Sequence, residues 1–386
     1  MFESSIDNTN PDHVYLDCIV SNSDSSSNNP SMPLTFTEIR NSEIISCASD
    51  YYLTISRFYL ESPNLPVLQM PILTGQSDIN KSSLSITMTY ASSTKSYEFQ
   101  QYLTFVPVNL ADSMPIPPLI NVDYSSTYYD IYSYQNFINM INTAFQSCYH
   151  GLTTVAGAGG NALPSAYAPY FEFDPTAEKA ILNSDILGYN NSLQYPISIY
   201  FNTPLMQLFS SFDASYYGTN TTNGKNYKLN VYALPNSGNV YGITQPNVIN
   251  YLQMYQEYPT LASVGNPISS ILFNSNLIPI NPSLQSLPII YNAPASSSSQ
   301  TSNSTVVNML TDIIVPTDLF SGYKPNIIYN ANPYRLISLI SNQPLRNYDI
   351  SVWYKLHSGN VRQFMLASGC CASIKIAFIK KSAKHL

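Results

Sequence analysis

Three groups of residues have types and spacings that chemistry uses. VAGAGGNA (155–162) holds Gly157, Gly159 and Ala162 in the G-x-G-x-x-A spacing of dinucleotide binding, with Glu178 near the distance of a ribose-binding acid. That chemistry needs a strand before the glycines and a helix opening at them, so that amides and the helix dipole face a pyrophosphate. Here a helical pattern precedes the motif and Pro164, Pro169 and Pro175 follow it, so the stretch reads as a loop. Cys370 and Cys371 are adjacent. Zinc ligands are spaced C-x₂₋₄-C, and neighbouring side chains on a strand point to opposite faces, so the pair fits a strand start with inert thiols. His13, His150, His357 and His385 are isolated, and His150 suits a helix C-terminus. No nucleophile elbow, phosphate loop or paired carboxylate is recognisable. With 10% of residues charged and 4 histidines, little material is left for acid–base work. The sequence therefore reads as non-enzymatic, with no cofactor and no metal.

The third group is the ending, SGCCASIKIAFIKKSAKHL (368–386), in which Lys375, Lys380, Lys381 and Lys384 crowd the last residues of an acidic chain. From Lys324 onward there are nine basic residues and one acid, Asp349, a balance of +8, whereas the first 323 residues balance to −15. Such asymmetry fits a two-sided molecule with a cationic face towards an acidic neighbour or a nucleic acid. Ile374, Ile376 and Phe378 form one face of a last strand, Lys375 lies on the other, and Lys380, Lys381 and Lys384 form a basic tip. The tip is expected on an interior or interface surface, with weak genome contact.

Charged residues make up 10% of the chain, against ~25% in an average soluble domain, so the polar surface comes from Ser, Thr, Asn, Gln and 32 tyrosines. These side chains hydrate a surface without keeping like molecules apart, and they build contact surfaces at low entropic cost. The composition suits a protein whose surfaces touch partners. The start, MFESSIDNTNPDHV, has neither a basic n-region nor an apolar h-region, so no secretory signal is expected. No apolar run approaches ~18 residues, so no membrane span is expected. Five scattered cysteines favour free thiols and intracellular production.

The elements that must position these groups follow mostly a period of two. LSITMTY (84–90) and SYEFQQYLTFV (96–106) read as a hairpin with one buried face. Further strands are expected at 13–20, 51–60, 228–234, 248–258, 306–315, 335–340, 349–356, 361–366 and 372–380. MPIPPL (114–119) and APASSSSQTSNST (293–305) read as loops. Two segments are helical. In SYQNFINMINTAFQSCYHG (133–151), Phe137, Met140, Ile141, Ala144, Phe145 and Cys148 form one stripe, with Ser133 as N-cap and Gly151 past the end. In NTPLMQLFSSF (202–212), Thr203 and Pro204 start a helix burying Leu205, Leu208, Phe209 and Phe212. Between them, PYFEFDPTAEKAILN reads as a hairpin turning at Asp174-Pro175. At 386 residues two lobes are expected. The fold class is mainly β, a jelly-roll β-sandwich with an inserted small α+β domain: 1–123 first jelly-roll part, 124–223 insert, 224–386 second jelly-roll part with the basic tip.

Two stretches carry a family resemblance. YYDIYSYQNFINMINTAF, PYFEFDPTAEKAILN and ISIYFNTPLMQLFSSF, in that order, are similar to a module in structural proteins of polinton-like and adenovirus-like eukaryotic double-stranded DNA viruses. SVWYKLHSGNVRQFMLASGCCASIKIAFIKKS resembles the closing hairpin and last strand of their capsid proteins. The resemblance implies a jelly-roll subunit of an icosahedral capsid, present in the virion, that self-associates and meets other capsid proteins. A vertex (penton) homopentamer is favoured by the insertion, and a trimeric double-jelly-roll major capsid protein is the alternative. A glycan-binding fibre or adhesin module is the reading from another class.

Overall fold

The computed structural model describes residues 11–23, 31–73, 75, 80–107, 128–232, 243–244, 250–280, 289–292, 304–315, 326–331, 335–357, 359 and 361–383. MPIPPL, residues 293–303 of the Ser/Asn-rich tract, and Lys384 lie outside the described residues. Eight strands build a sandwich: β1 (His13–Ser21), β2 (Thr35–Ile39), β3 (Tyr51–Glu61), β4 (Ile268–Asn274), β5 (Met309–Ile314), β6 (Asn326–Asn330), β7 (Asn347–Leu356) and β8 (Cys371–Lys380). One sheet runs β1-β8-β3-β6 and the other β2-β7-β4-β5, all pairs antiparallel. Eight strands in two facing four-stranded sheets, with chain neighbours such as β1 and β2 in opposite sheets, are a jelly roll. The set occurs once among the described residues, and the chain between β3 and β4 leaves the sandwich and returns.

Alternation explains the core between the sheets. Ile374, Ile376 and Phe378 of β8 are buried as their spacing predicts. In β3 the inward series Tyr51, Leu53, Ile55 resumes one residue late at Phe58 and Leu60. A register shift opposite Lys375/Ile376 absorbs the extra residue, so both halves of the strand face inward. Phe58 meets Phe273 of β4 edge-on, ring centres 4.9 Å apart, joining the two sheets.

A second core spans Val67 to Leu261. It draws on the described part of the expected 124–223 segment and reaches past both ends, taking in Leu84, Ile86, Met88, Leu103 and Phe105 of the hairpin and Leu252 and Leu261. The hairpin strands Lys81–Ala91 and Ser96–Thr104 pair with Ile197–Phe201, which continues to Tyr227–Leu229 and Ala214–Tyr216. Tyr170–Asp174 and Lys179–Asp185, turned where Asp174 accepts from the amides of Thr176 and Ala177, join Asn250–Tyr255 in another sheet. Helix α1 (Tyr134–Ala158) opens at Ser133, whose side chain accepts from the Asn136 amide. Helix α2 (Thr203–Leu208) carries Pro204 in its first turn and is capped by Asn202.

Helix α1 does not stop at Gly151 but runs on to Ala158, taking in the first half of the glycine-rich motif. Gly151 is glycine because the Phe99 ring lies where a Cβ would stand. Among the described residues the strands expected at 228–234 and 335–340 are limited to Tyr227–Leu229 and Ile337–Ser338, with 233–234 outside the described residues. No helix among the described residues is long and apolar enough to cross a membrane.

Candidate assembly surfaces

The ending is built into the sandwich. β8 pairs along its whole length with β1 on one side and β3 on the other. Lys375 lies 5.4 Å from the Tyr15 ring centre, in the cross-strand row Asp17–Lys375–Arg57, where Arg57 binds Asp17 at 2.8 Å. Lys381 turns back onto the fold, donating to the carbonyls of Ser49 at 2.5 Å and Leu339 at 3.1 Å and lying over the Tyr52 ring. The half-buried Lys380 ends the strand, its amide donating to the Asp12 carbonyl. Lys375 and Lys381 thus make contacts within the chain.

All five cysteines are free. The Cys371 amide donates to Glu61 at 2.7 Å, and burial followed by the nearby Glu61 charge pushes both Cys370 and Cys371 thiols up, which disfavours thiolate chemistry. Cys148, inside the second core, is pushed up by burial to about 12. Cys18 joins a relay between the sheets. Tyr348 donates to Glu38 at 2.8 Å, which leaves its oxygen to accept from Cys18 at 2.5 Å, and Arg40 binds Glu38. Burial, then the bonds to Cys18 and Glu38, raises the Tyr348 phenol, while Arg40 and then Tyr348 hold Glu38 below the usual carboxylate range. The relay closes the β1/β2 corner of the sandwich.

No cluster of metal-ligating side chains occurs among the described residues. The glycine-rich stretch borders a shallow open cleft of about 680 Å³ lined by Tyr149, Thr153, Asn161 and Ser165 among others, without a charged group. Gly160 adopts φ +81°, and Gly159 accommodates Tyr97 where a Cβ would stand, so these glycines serve a turn and a close approach.

Among the described residues the two sheets have four open edges, and the sequence reading did not name the residues on them. Each edge strand presents an outward isoleucine: Ile19 on β1 (74% exposed), Ile39 on β2 (79%), Ile314 on β5 (72%) and Ile328 on β6 (63%). The signal lies in phase. In HVYLDCIV the inward set is Val14, Leu16, Cys18 and Val20, which leaves Tyr15 and Ile19 as apolar residues on the solvent side. Open strand edges with apolar side chains are sites for pairing with another chain.

The family model of Sputnik minor capsid protein V18/19 matches residues 14–380 of this sandwich and its insertion. The chain belongs to that family. Structural protein V19 of Sputnik virophage is 30% identical over 222 residues, covering 56% of this chain and 96% of that protein. Uncharacterized protein V18 of the same virophage is 27% identical over 155 residues, covering 38% and 89%. The fold also matches a chain in the cryo-EM structure of the Sputnik virophage, with a TM-score of 0.73, 26% identity and coverage of 97% of this chain and 100% of that one. The crystal structure of the mavirus penton protein matches with a TM-score of 0.57 at 14% identity, covering 95% and 99%. This minor capsid protein is a structural component of the virion and not an enzyme.

Proposed function

We propose that this minor capsid protein is the vertex subunit, five copies of which form a ring. The observation that carries the reading is the single jelly roll interrupted between β3 and β4 by a unit with its own core. A double-jelly-roll subunit needs a second set of eight strands, and the described chain spends those residues on a helix-centred α+β unit instead. The likeness of fold to a penton protein supports the same choice. In this reading the jelly roll comprises about residues 11–65 and 268–383 and the insert the chain between them. Native mass measurement of the full chain across concentration tests it. A pentamer is expected, whereas a trimer or a persistent monomer would overturn it.

The basic tip Lys380, Lys381 and Lys384 acts in the same setting, directed at the capsid interior or an acidic neighbouring subunit, with Lys381 also anchoring the strand end. Replacing Lys380 and Lys384 with alanine is expected to reduce particle yield or genome retention while the subunit stays folded. Unchanged particles would remove the idea.

A further inference from the structure

The β1-β8-β3-β6 sheet has an unpaired edge at each side among the described residues, and one cross-strand row connects the two edges. Ile19 of β1 stands opposite Ser373 of β8, Ser373 opposite Tyr59 of β3, and Tyr59 opposite Ile328 of β6. The row therefore begins and ends on an exposed isoleucine at the same height along the strands. The next row, Asp17–Lys375–Arg57–Asn330, keeps its charges to itself, because Arg57 reaches across β8 to bind Asp17. What the edges present outward at this level is an apolar side chain and open backbone groups.

Strand direction completes the match. With every neighbouring pair antiparallel, β1 and β6 run in opposite directions across the four strands. Placing the β6 edge of one copy beside the β1 edge of the next continues the antiparallel order and brings Ile328 to Ile19 at one level. Unlike edges that fit each other give a head-to-tail contact, and such contacts form a ring where the rotation between copies closes.

We propose that the partner of the β1 edge is the β6 edge of a second copy of this chain, with Ile19 packed against Ile328 at the subunit boundary. The contact rests on the ring reading above and assigns its two faces. It buries both isoleucines and covers two open edges whose strands, β1 and β6, carry no lysine guard.

The test is site-specific photocross-linking in the full chain, with oligomeric state followed in parallel by native mass. With Ile19→p-benzoylphenylalanine, the expected adduct joins position 19 to the 326–330 peptide of another copy, and the probe at Ile328 gives the reciprocal adduct in 13–21. Ile19→Lys and Ile328→Lys are each expected to weaken association roughly tenfold or more, and their mixture to stop at a dimer, since one intact edge pair remains. An intact pentamer whose position-19 probe marks 13–21 of another copy, a different surface or another capsid protein overturns the contact and leaves the ring standing. A chain that stays monomeric at every concentration overturns contact and ring together.

Discussion

Lys381 is a surface cation whose charge belongs to the fold. Its ammonium serves two carbonyls, one before β3 and one at Leu339, and rests on the Tyr52 ring. Lys381→Met keeps the aliphatic stem and removes the donors. A loss of about 1 kcal/mol is expected, the scale for depriving half-buried acceptors of a partner, read as a lower urea midpoint at unchanged slope. The position of this residue just past the last strand was legible, because Ile374, Ile376 and Phe378 alternate along that strand. Its partners were not, since they lie 332 and 42 residues away and alternation says only which face a side chain takes. Asp349 makes the same point. It is the one acid in the basic C-terminal stretch, and it accepts from the Ser275 hydroxyl and the amides of Asn276 and Leu277, fixing the turn after β4.

At the scale of elements, Gly151 shows how a stop signal can be a packing residue. Glycine inside a helix costs about 0.5–1 kcal/mol relative to alanine, so an apolar stripe followed by glycine reads as a helix end. The Phe99 ring fills the space instead, and α1 continues past it. Gly151→Leu is expected to destabilise by about 1–3 kcal/mol through overpacking despite the better helix former, and Gly151→Leu with Phe99→Ala to recover part of that in thermal melts. The segment 217–226 offers a pH-dependent case. It lies across the polar face of the hairpin sheet, where Thr87 donates to the Asn223 carbonyl and both Asn223 and Lys225 bind Glu98. The bond from Lys225, then burial opposed by Asn223, leaves Glu98 below the usual carboxylate range. A carboxyl more acidic folded than unfolded contributes fully at neutral pH and loses that contribution as pH falls through its folded value. Glu98→Gln is therefore expected to melt below the parent protein at pH 7, and the gap to close as pH falls below about 4.

For the whole molecule, a jelly roll interrupted by a second unit was legible from strand periodicity and the helical segments, but the extent of the second unit was not. A hairpin such as 81–104 has the same alternation whether it joins a sandwich or packs under a helix, and only the long-range pairing of Ile86 with Phe201 assigns it. The two cores meet at an ion pair equally hidden from sequence. Arg362, on the strand beside β7, binds Asp130, on the strand paired with Leu68–Pro71, and Gln69 donates to the same carboxylate at 2.7 Å. Their side chains are 23% and 10% exposed, so each charge has given up much of its water. Burial draws the guanidinium pKa down, but Asp130 and then Tyr354 outweigh it and hold Arg362 above its ordinary value. Removing one member of a buried pair costs more than replacing both, because the survivor keeps an uncompensated charge. Arg362→Met is expected to lower stability by about 1–3 kcal/mol and to split unfolding into two calorimetric transitions as the lobes uncouple. Arg362→Met with Asp130→Asn is expected to lie closer to the parent than Arg362→Met alone. A single transition with unchanged midpoint in Arg362→Met would show that the lobes are held together by their packing and connecting strands, with no contribution from this pair.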